Sequence, residues 1–343
     1  MAPREPAHAP AVRRLTTILA QMRAPDSPLR GMLAADRLPP QVPLTVEPAL
    51  ADVAAIRRRL ETGHLSAVRG SLVAASPDDG HEELILREVR GLAASARGEH
   101  WFSHSTAALL HGAWTYATPP LVHVTHEANP HVRRRLEPDV RRHHTRLLPR
   151  DRDVVDGIPV TSKERTLVDC LRTMRPPAAL VVADSLFRLR ADPAEVGRIM
   201  ADSVGKRGMV QARRLLELCD PRSGSPGETV ARLAAIDDGL PRPVCQMPVE
   251  TRSGTRYVDF GWPEVGAGVE FDGDVKYSGG EYGLPDDVLR RQQQRHEDIE
   301  AAGVDLVRVS WPALRDTEQL GLRLRSLYDT ALFRTRERRR RTT

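Results

Sequence analysis

The chain has 343 residues, so at ~100–200 residues per domain it holds two or three domains. Hydrophobic residues are 40% and charged residues 28%, a globular composition, and no apolar run reaches the ~18 residues a membrane span needs. Lysine and arginine total 51 against 46 acids, a net +5, which permits a nucleic-acid partner without requiring one.

The three cysteines, Cys170, Cys219 and Cys245, are scattered and odd in number. That argues against a disulfide scaffold and a zinc ribbon, and points to a reducing cytoplasm. The opening MAPREPAHAP has no apolar signal core. Only three of the 51 bases are lysine, and arginine suits bidentate phosphate contacts.

Residues 1–49 read as a loosely structured segment with a helix at 11–23 and a Pro-rich stretch at 38–48. Residues 50–99 open with a helix, a turn and an alternating strand pair, HLSAVRGSLVAA. Helix plus basic hairpin is the rear half of a winged helix-turn-helix, which puts Arg57, Arg58, Arg59 and Arg69 on a DNA-facing surface. Residues 100–219 are mixed α/β. Ser103 or Ser105 can cap a helix through Leu110, PPLVHVT and HHTRLL read as strands, and DVVDGIPVT is a hairpin turning on Asp156-Gly157. Thr161-Ser162-Lys163-Glu164 is a capping box, and Asp192-Pro193-Ala194-Glu195 opens another helix. Six of the eight residues 220–227 are Pro, Gly or Ser, which marks a linker. Residues 220–343 form the last domain, with nine of the 14 aromatics beyond residue 250 and a basic tail read as a solvated helix end.

Within that domain, RYVDFGW and AGVEFDG read as a hairpin about the turn PEVG. Centring the turn between Glu264 and Val265 sets Asp259 opposite Glu270. Period-two alternation then puts Asp259, Glu270 and Asp272 on one face, and Val258, Phe260, Val269 and Phe271 on the other. Like charges facing each other across strands destabilise. The cluster makes sense if a divalent cation such as Mg²⁺ sits among its oxygens.

V-D-F, V-E-F-D-G and the later V-R-V-S-W resemble the PD-(D/E)XK nuclease-like superfamily, closest to its branch near the very short patch repair endonucleases. The resemblance covers 225–314 and implies a restriction-endonuclease-like α-β-β-β-α-β core. It implies metal ligation by Asp259, Glu270 and the helix glutamate Glu228. Asp272 stands where the superfamily has a lysine, so Lys276 is the candidate for stabilising developing charge. Arg290, Arg291 and Arg295 are candidate phosphate contacts. Glu228 is equally explained as the third helical residue of a Ser225 cap with Pro226 at its start.

SHSTAALLHG, LVHVT and DGIPVTSKERTLVDC resemble antitoxin and regulator proteins of the AbiEi kind, which carry an N-terminal winged helix before an α/β domain. Nine of the 12 histidines fall between 81 and 144, yet no H-E-x-x-H or cysteine partner makes a zinc motif. No phosphate-cradling G-x-x-x-x-G-K-[ST] loop occurs. The expected class is therefore α/β (α+β), a winged-helix-like and α/β module followed by a nuclease-like domain. The expected function is Mg²⁺-dependent hydrolysis of DNA. The alternative is a non-catalytic DNA-binding regulator or antitoxin with a toxin or defence partner, cytoplasmic and away from membranes.

Overall fold

The structure is a computed structural model and describes residues 5–33, 58–68, 71–74, 80–96, 98–117, 121–128, 138–273 and 286–342. The chain separates into two compact units, Met1–Cys219 and Asp220–Thr343. Both mix helices with a sheet, the expected α+β class.

In the first unit, helix α1 (Ala9–Arg23) buries Leu15, Ile18, Leu19 and Met22, the spacing of one helical face. It is more firmly seated than the sequence suggests. Arg14 Nη2 donates to Glu217 O (2.8 Å) and Cys219 O (2.7 Å), carbonyls at a helix C-terminus that lack intrahelical partners. A helical turn at 58–61 precedes the antiparallel strands β1 (Leu65–Val68) and β2 (Ser71–Ala74), paired from Leu65↔Ala74 to Val68↔Ser71. Helix α2 (His81–Ser95), which the sequence reading did not assign, follows them. Its Ile85, Leu86, Val89 and Leu92 join Phe102, Leu109, Val122, Val124, Ile158 and Val160 in one core.

That core lies on a five-stranded sheet, β3 (Trp101–Phe102), β4 (Val122–His126), β5 (Val140–His144), β6 (Arg152–Val155) and β7 (Ile158–Thr161). Its order is β5-β4-β3-β7-β6. β4 and β5 run parallel, as do β3 and β7. The β6–β7 hairpin turns on Asp156 (φ 49°) and Gly157 (φ 79°), the positive pair that a tight hairpin requires. Two local expectations shift. The strand expected to begin at His143 instead ends at His144, because the parallel pairing is anchored upstream at Val122↔Val140. The helix after β7 is capped by Ser162, whose Oγ accepts from Arg165 N, while Thr161 belongs to the strand. Helices α3 (His104–Leu110), α4 (Lys163–Thr173), α5 (Pro176–Arg188), α6 (Pro193–Asp202) and α7 (Met209–Leu218) complete the unit. Asp192 caps α6 through Ala194 N, as its sequence predicts.

The second unit runs α8 (Pro226–Asp237), β8 (Val244–Thr251), β9 (Gly254–Trp262), β10 (Ala267–Asp272), α9 (Asp286–Ala301), β11 (Asp305–Ser310) and α10 (Thr317–Thr342). The sheet order is β11-β10-β9-β8, with β10 and β11 parallel. Pro248 sits on the edge strand β8, where a missing N–H costs least. The basic tail is largely exposed helix. α10 continues through it, with Arg334 Nη1 2.5 Å from Asp305 Oδ1 and Thr335 Oγ1 donating to Val265 O (3.0 Å).

The hairpin register is the predicted one: Ala267↔Trp262, Gly268↔Gly261 and Val269↔Phe260. The predicted common apolar face is not observed. The ladder of β9 with β10 stops at Phe260, and that of β8 with β9 skips Gln246 and Asp259, with Gln246 at φ 48°. This irregularity flips the alternation. Val258 packs with Met247, Val249 and Ile299 of α9. Phe260 instead meets Trp262, which packs edge-on against Tyr328 of α10. Phe271 lies against Gly227 of α8 and edge-on to Trp311.

Candidate functional site

The acids of the second unit come close in sequence order but not into one ligand sphere. Asp259 Oδ2 accepts the Phe271 backbone N–H (2.7 Å), filling the gap that the broken ladder leaves. Glu270, 7% exposed, faces α9, where Arg295 Nη1 lies 2.6 Å from its Oε1. Arg308 Nε stands 3.9 Å from Glu270 and 3.8 Å from Asp272, since Arg308 is the register partner of Glu270 across β10 and β11. Glu228 Oε2 accepts Gly224 N (2.7 Å) while Ser225 Oγ accepts Glu228 N (3.2 Å), the helix-capping role that its sequence allows. Carboxylate oxygens are the right donors for Mg²⁺. As placed, however, the cation beside Glu270 is a guanidinium, and these residues do not fit an ion unless Arg295 moves.

Lys276, Arg57 and Arg69 lie outside the described residues, as do the side chains of Arg290 and Arg291. Arg58 is exposed and Arg59 half-buried on the helical turn before β1. Their carbonyls take Thr62 Oγ1 (2.9 Å from Arg58 O) and His64 N (2.8 Å from Arg59 O), which ties the turn to the hairpin.

A dense polar constellation lies in the first unit, and sequence reasoning missed it. His104 opens α3, His123 is the second residue of β4 and His143 lies on β5. Among the described residues, these three form the group whose ligand atoms all lie within 4.8 Å of one another. The His104 and His143 rings stack with centroids 3.7 Å apart, and His123 Nδ1 is 3.1 Å from His143 Nε2. His104 holds φ 55°, a conformation costing a non-glycine residue of order 1–3 kcal/mol. Ser103 does not cap α3 with its side chain. Its Oγ instead receives Thr125 Oγ1 (2.8 Å) and meets His104 Nδ1 (3.0 Å).

Burial, and then the charge of the neighbouring histidines and arginines, push the His104 pKa well below its usual value. Burial, then His143 and Arg141, bring His123 down to about 3. Burial is also the largest cause at His143, which falls to about 4 against the opposing charge of Asp169. All three rings are therefore neutral near pH 7. Beside them runs a buried ion network. Arg165 Nε donates to Asp169 (2.7 Å), its Nη1 to Asp151 (3.2 Å), and Arg172 Nη1 donates to Asp169 (3.0 Å). Burial opposes the charge of Arg165, but the two aspartates outweigh it and raise its pKa. This accounts for the T-S-K-E-R-T-L-V-D run: Ser162 caps, Thr166 shares a hydroxyl contact with Thr161 (2.7 Å), and Arg165 with Asp169 carries the network. The signals in the sequence were the crowding of histidines between 81 and 144 and the place of His104 and His123 in the SHSTAALLHG and LVHVT segments.

Residues 102–218 match the family described as the AbiEi antitoxin C-terminal domain. The span reaches from β3 to the end of α7 and contains the histidine group and its ion network. Two uncharacterised proteins of Mycobacterium tuberculosis, from strains CDC 1551 / Oshkosh and ATCC 25618 / H37Rv, are each 36% identical to the chain over 138 residues, 40% of this chain and 49% of each relative. The chain thus spans about half the length of the curated relatives it matches. No solved structure matches the chain. The family match supports the AbiEi likeness of the middle segment and gives the nuclease likeness of the last domain no support.

Proposed function

We propose that the chain is an antitoxin- or regulator-type protein that binds DNA and a cognate toxin or defence protein, with the nuclease-like unit serving as a non-hydrolytic platform. The match of residues 102–218 to the AbiEi antitoxin C-terminal domain carries this reading. The arginine seated on Glu270 is consistent with it. Among the described residues no helix is long and apolar enough to cross a membrane, and a cytoplasmic location belongs to the same proposal. Arg58 and Arg59 are the described bases that would meet phosphate. Fluorescence anisotropy with duplex DNA across a salt series tests this. Affinity should fall steeply with salt, and R58A/R59A should weaken it and flatten the slope by about one unit per lost contact. Salt-independent affinity, or a variant that binds as tightly as the parent, would sink the DNA-binding proposal.

A second reading is Mg²⁺-dependent hydrolysis of DNA phosphodiester bonds. It draws on the α-β-β-β-α-β order and on Asp259 and Glu270 in neighbouring strands. Asp259, Glu270 and Glu228 would hold the ion, and Asp272 and Lys276 would act at the phosphate. Supercoiled plasmid with Mg²⁺ separates the two readings. Nicking abolished by Glu270→Gln supports hydrolysis, and plasmid left intact by the parent protein supports the platform.

A further inference from the structure

We infer that His104, His123 and His143 bind one divalent transition-metal ion of the Zn²⁺ class. The three imidazoles come from separate elements, the start of α3, the second position of β4 and the fourth of β5, and their ligand atoms fall within 4.8 Å of one another. The 3.1 Å between His123 Nδ1 and His143 Nε2 is near the ~3.3 Å that separates two nitrogens each ~2.0–2.1 Å from a tetrahedral ion. Without metal, that contact is a hydrogen bond from one neutral ring to the other, and an ion takes the place of the shared proton. Imidazole nitrogen favours Zn²⁺, Co²⁺ or Ni²⁺ over Mg²⁺ or Ca²⁺, which prefer oxygen.

Two further observations point the same way. Ser103 Oγ engages His104 Nδ1 and is itself held by Thr125, so a second shell orients this ring and leaves Nε2 to ligate. The left-handed backbone at His104 is a strained arrangement of a kind that clusters at binding sites, and the ring, stacked 3.7 Å from His143, rotates out of that stack for both lone pairs to meet one ion. Three protein ligands leave a fourth position open, as in catalytic rather than structural zinc sites.

The test uses the full chain, stripped with a chelator and titrated with Co²⁺ and then Zn²⁺. One Co²⁺ per chain should give visible d–d absorption that Zn²⁺ displaces, with one zinc retained by elemental analysis. His123→Gln and His143→Gln should each weaken binding about 100-fold or more. His144→Gln, which alters a neighbouring histidine outside the group, should leave it unchanged. Circular dichroism checks the fold of each variant, and the half-exposed His143 carries the test if His123→Gln does not fold. A parent protein that retains no stoichiometric metal overturns the site, and so does a folded His143→Gln that binds like the parent.

Discussion

Asp220 is 1% exposed and grips Arg222 through both carboxylate oxygens, at 3.0 Å to Nε and 2.8 Å to Nη2. Burial alone would raise its pKa, but the hydrogen bonds and charge of Arg222 outweigh burial and hold it at about 2. A carboxylate depressed on folding contributes stability above its unfolded pKa of ~3.9 and loses that contribution as pH falls towards the folded value. The contribution is of order 2 kcal/mol. Thermal unfolding followed between pH 2 and pH 4 should therefore show stability rising with pH. Asp220→Asn should flatten that rise and cost about 3 kcal/mol at pH 7, because it strands a partly buried guanidinium. The Pro- and Gly-rich run that reads as a linker thus begins with a fixed turn, in which Arg222 N also donates to Asp220 Oδ1 (3.1 Å). Arg222, two residues on, is the only cue in the sequence to that turn.

At the scale of elements, the contact between α8 and β10 depends on an absent side chain. A Cβ at Gly227 would lie 2.1 Å from the Phe271 ring. Alanine favours a helix by up to ~1 kcal/mol over glycine, but forced overpacking costs ~1–3 kcal/mol and wins here because the ring is also held by Trp311. Gly227→Ala should lower the melting temperature of the second unit, while Gly227→Ala with Phe271→Leu should recover part of the loss. Differential scanning calorimetry on the full chain reads both changes, and an unaltered profile for the single variant would refute the packing. The β9–β10 hairpin shows how far element-level reading reaches. The turn PEVG and the register were legible, because period-two alternation and a four-residue loop are local. The shared face was not, because the interruption at Gln246 and Asp259 depends on β8 pairing along the far edge of β9.

Across the whole molecule, each unit carries its own core, and each holds polar groups with a distinct fate. In the second unit the predicted carboxylates are taken up by the fold, Glu228 as part of a cap, Asp259 as a ladder substitute and Glu270 beside arginine. In the first unit, His104 and His123, from the SHSTAALLHG and LVHVT segments, converge with His143 into a three-imidazole group. Composition, hydrophobic periodicity and capping residues by themselves determined the α+β class, most elements and the hairpin register. These are all set by interactions within a few residues of chain. The meeting of His104, His123 and His143 was decided only in three dimensions. It needs the parallel pairing of β4 with β5 and one left-handed residue after β3, and neither leaves a periodic trace in the sequence. The pairing of Glu270 with Arg295 likewise follows from α9 packing across the sheet, a contact between segments whose separation along the chain carries no information about their distance in space.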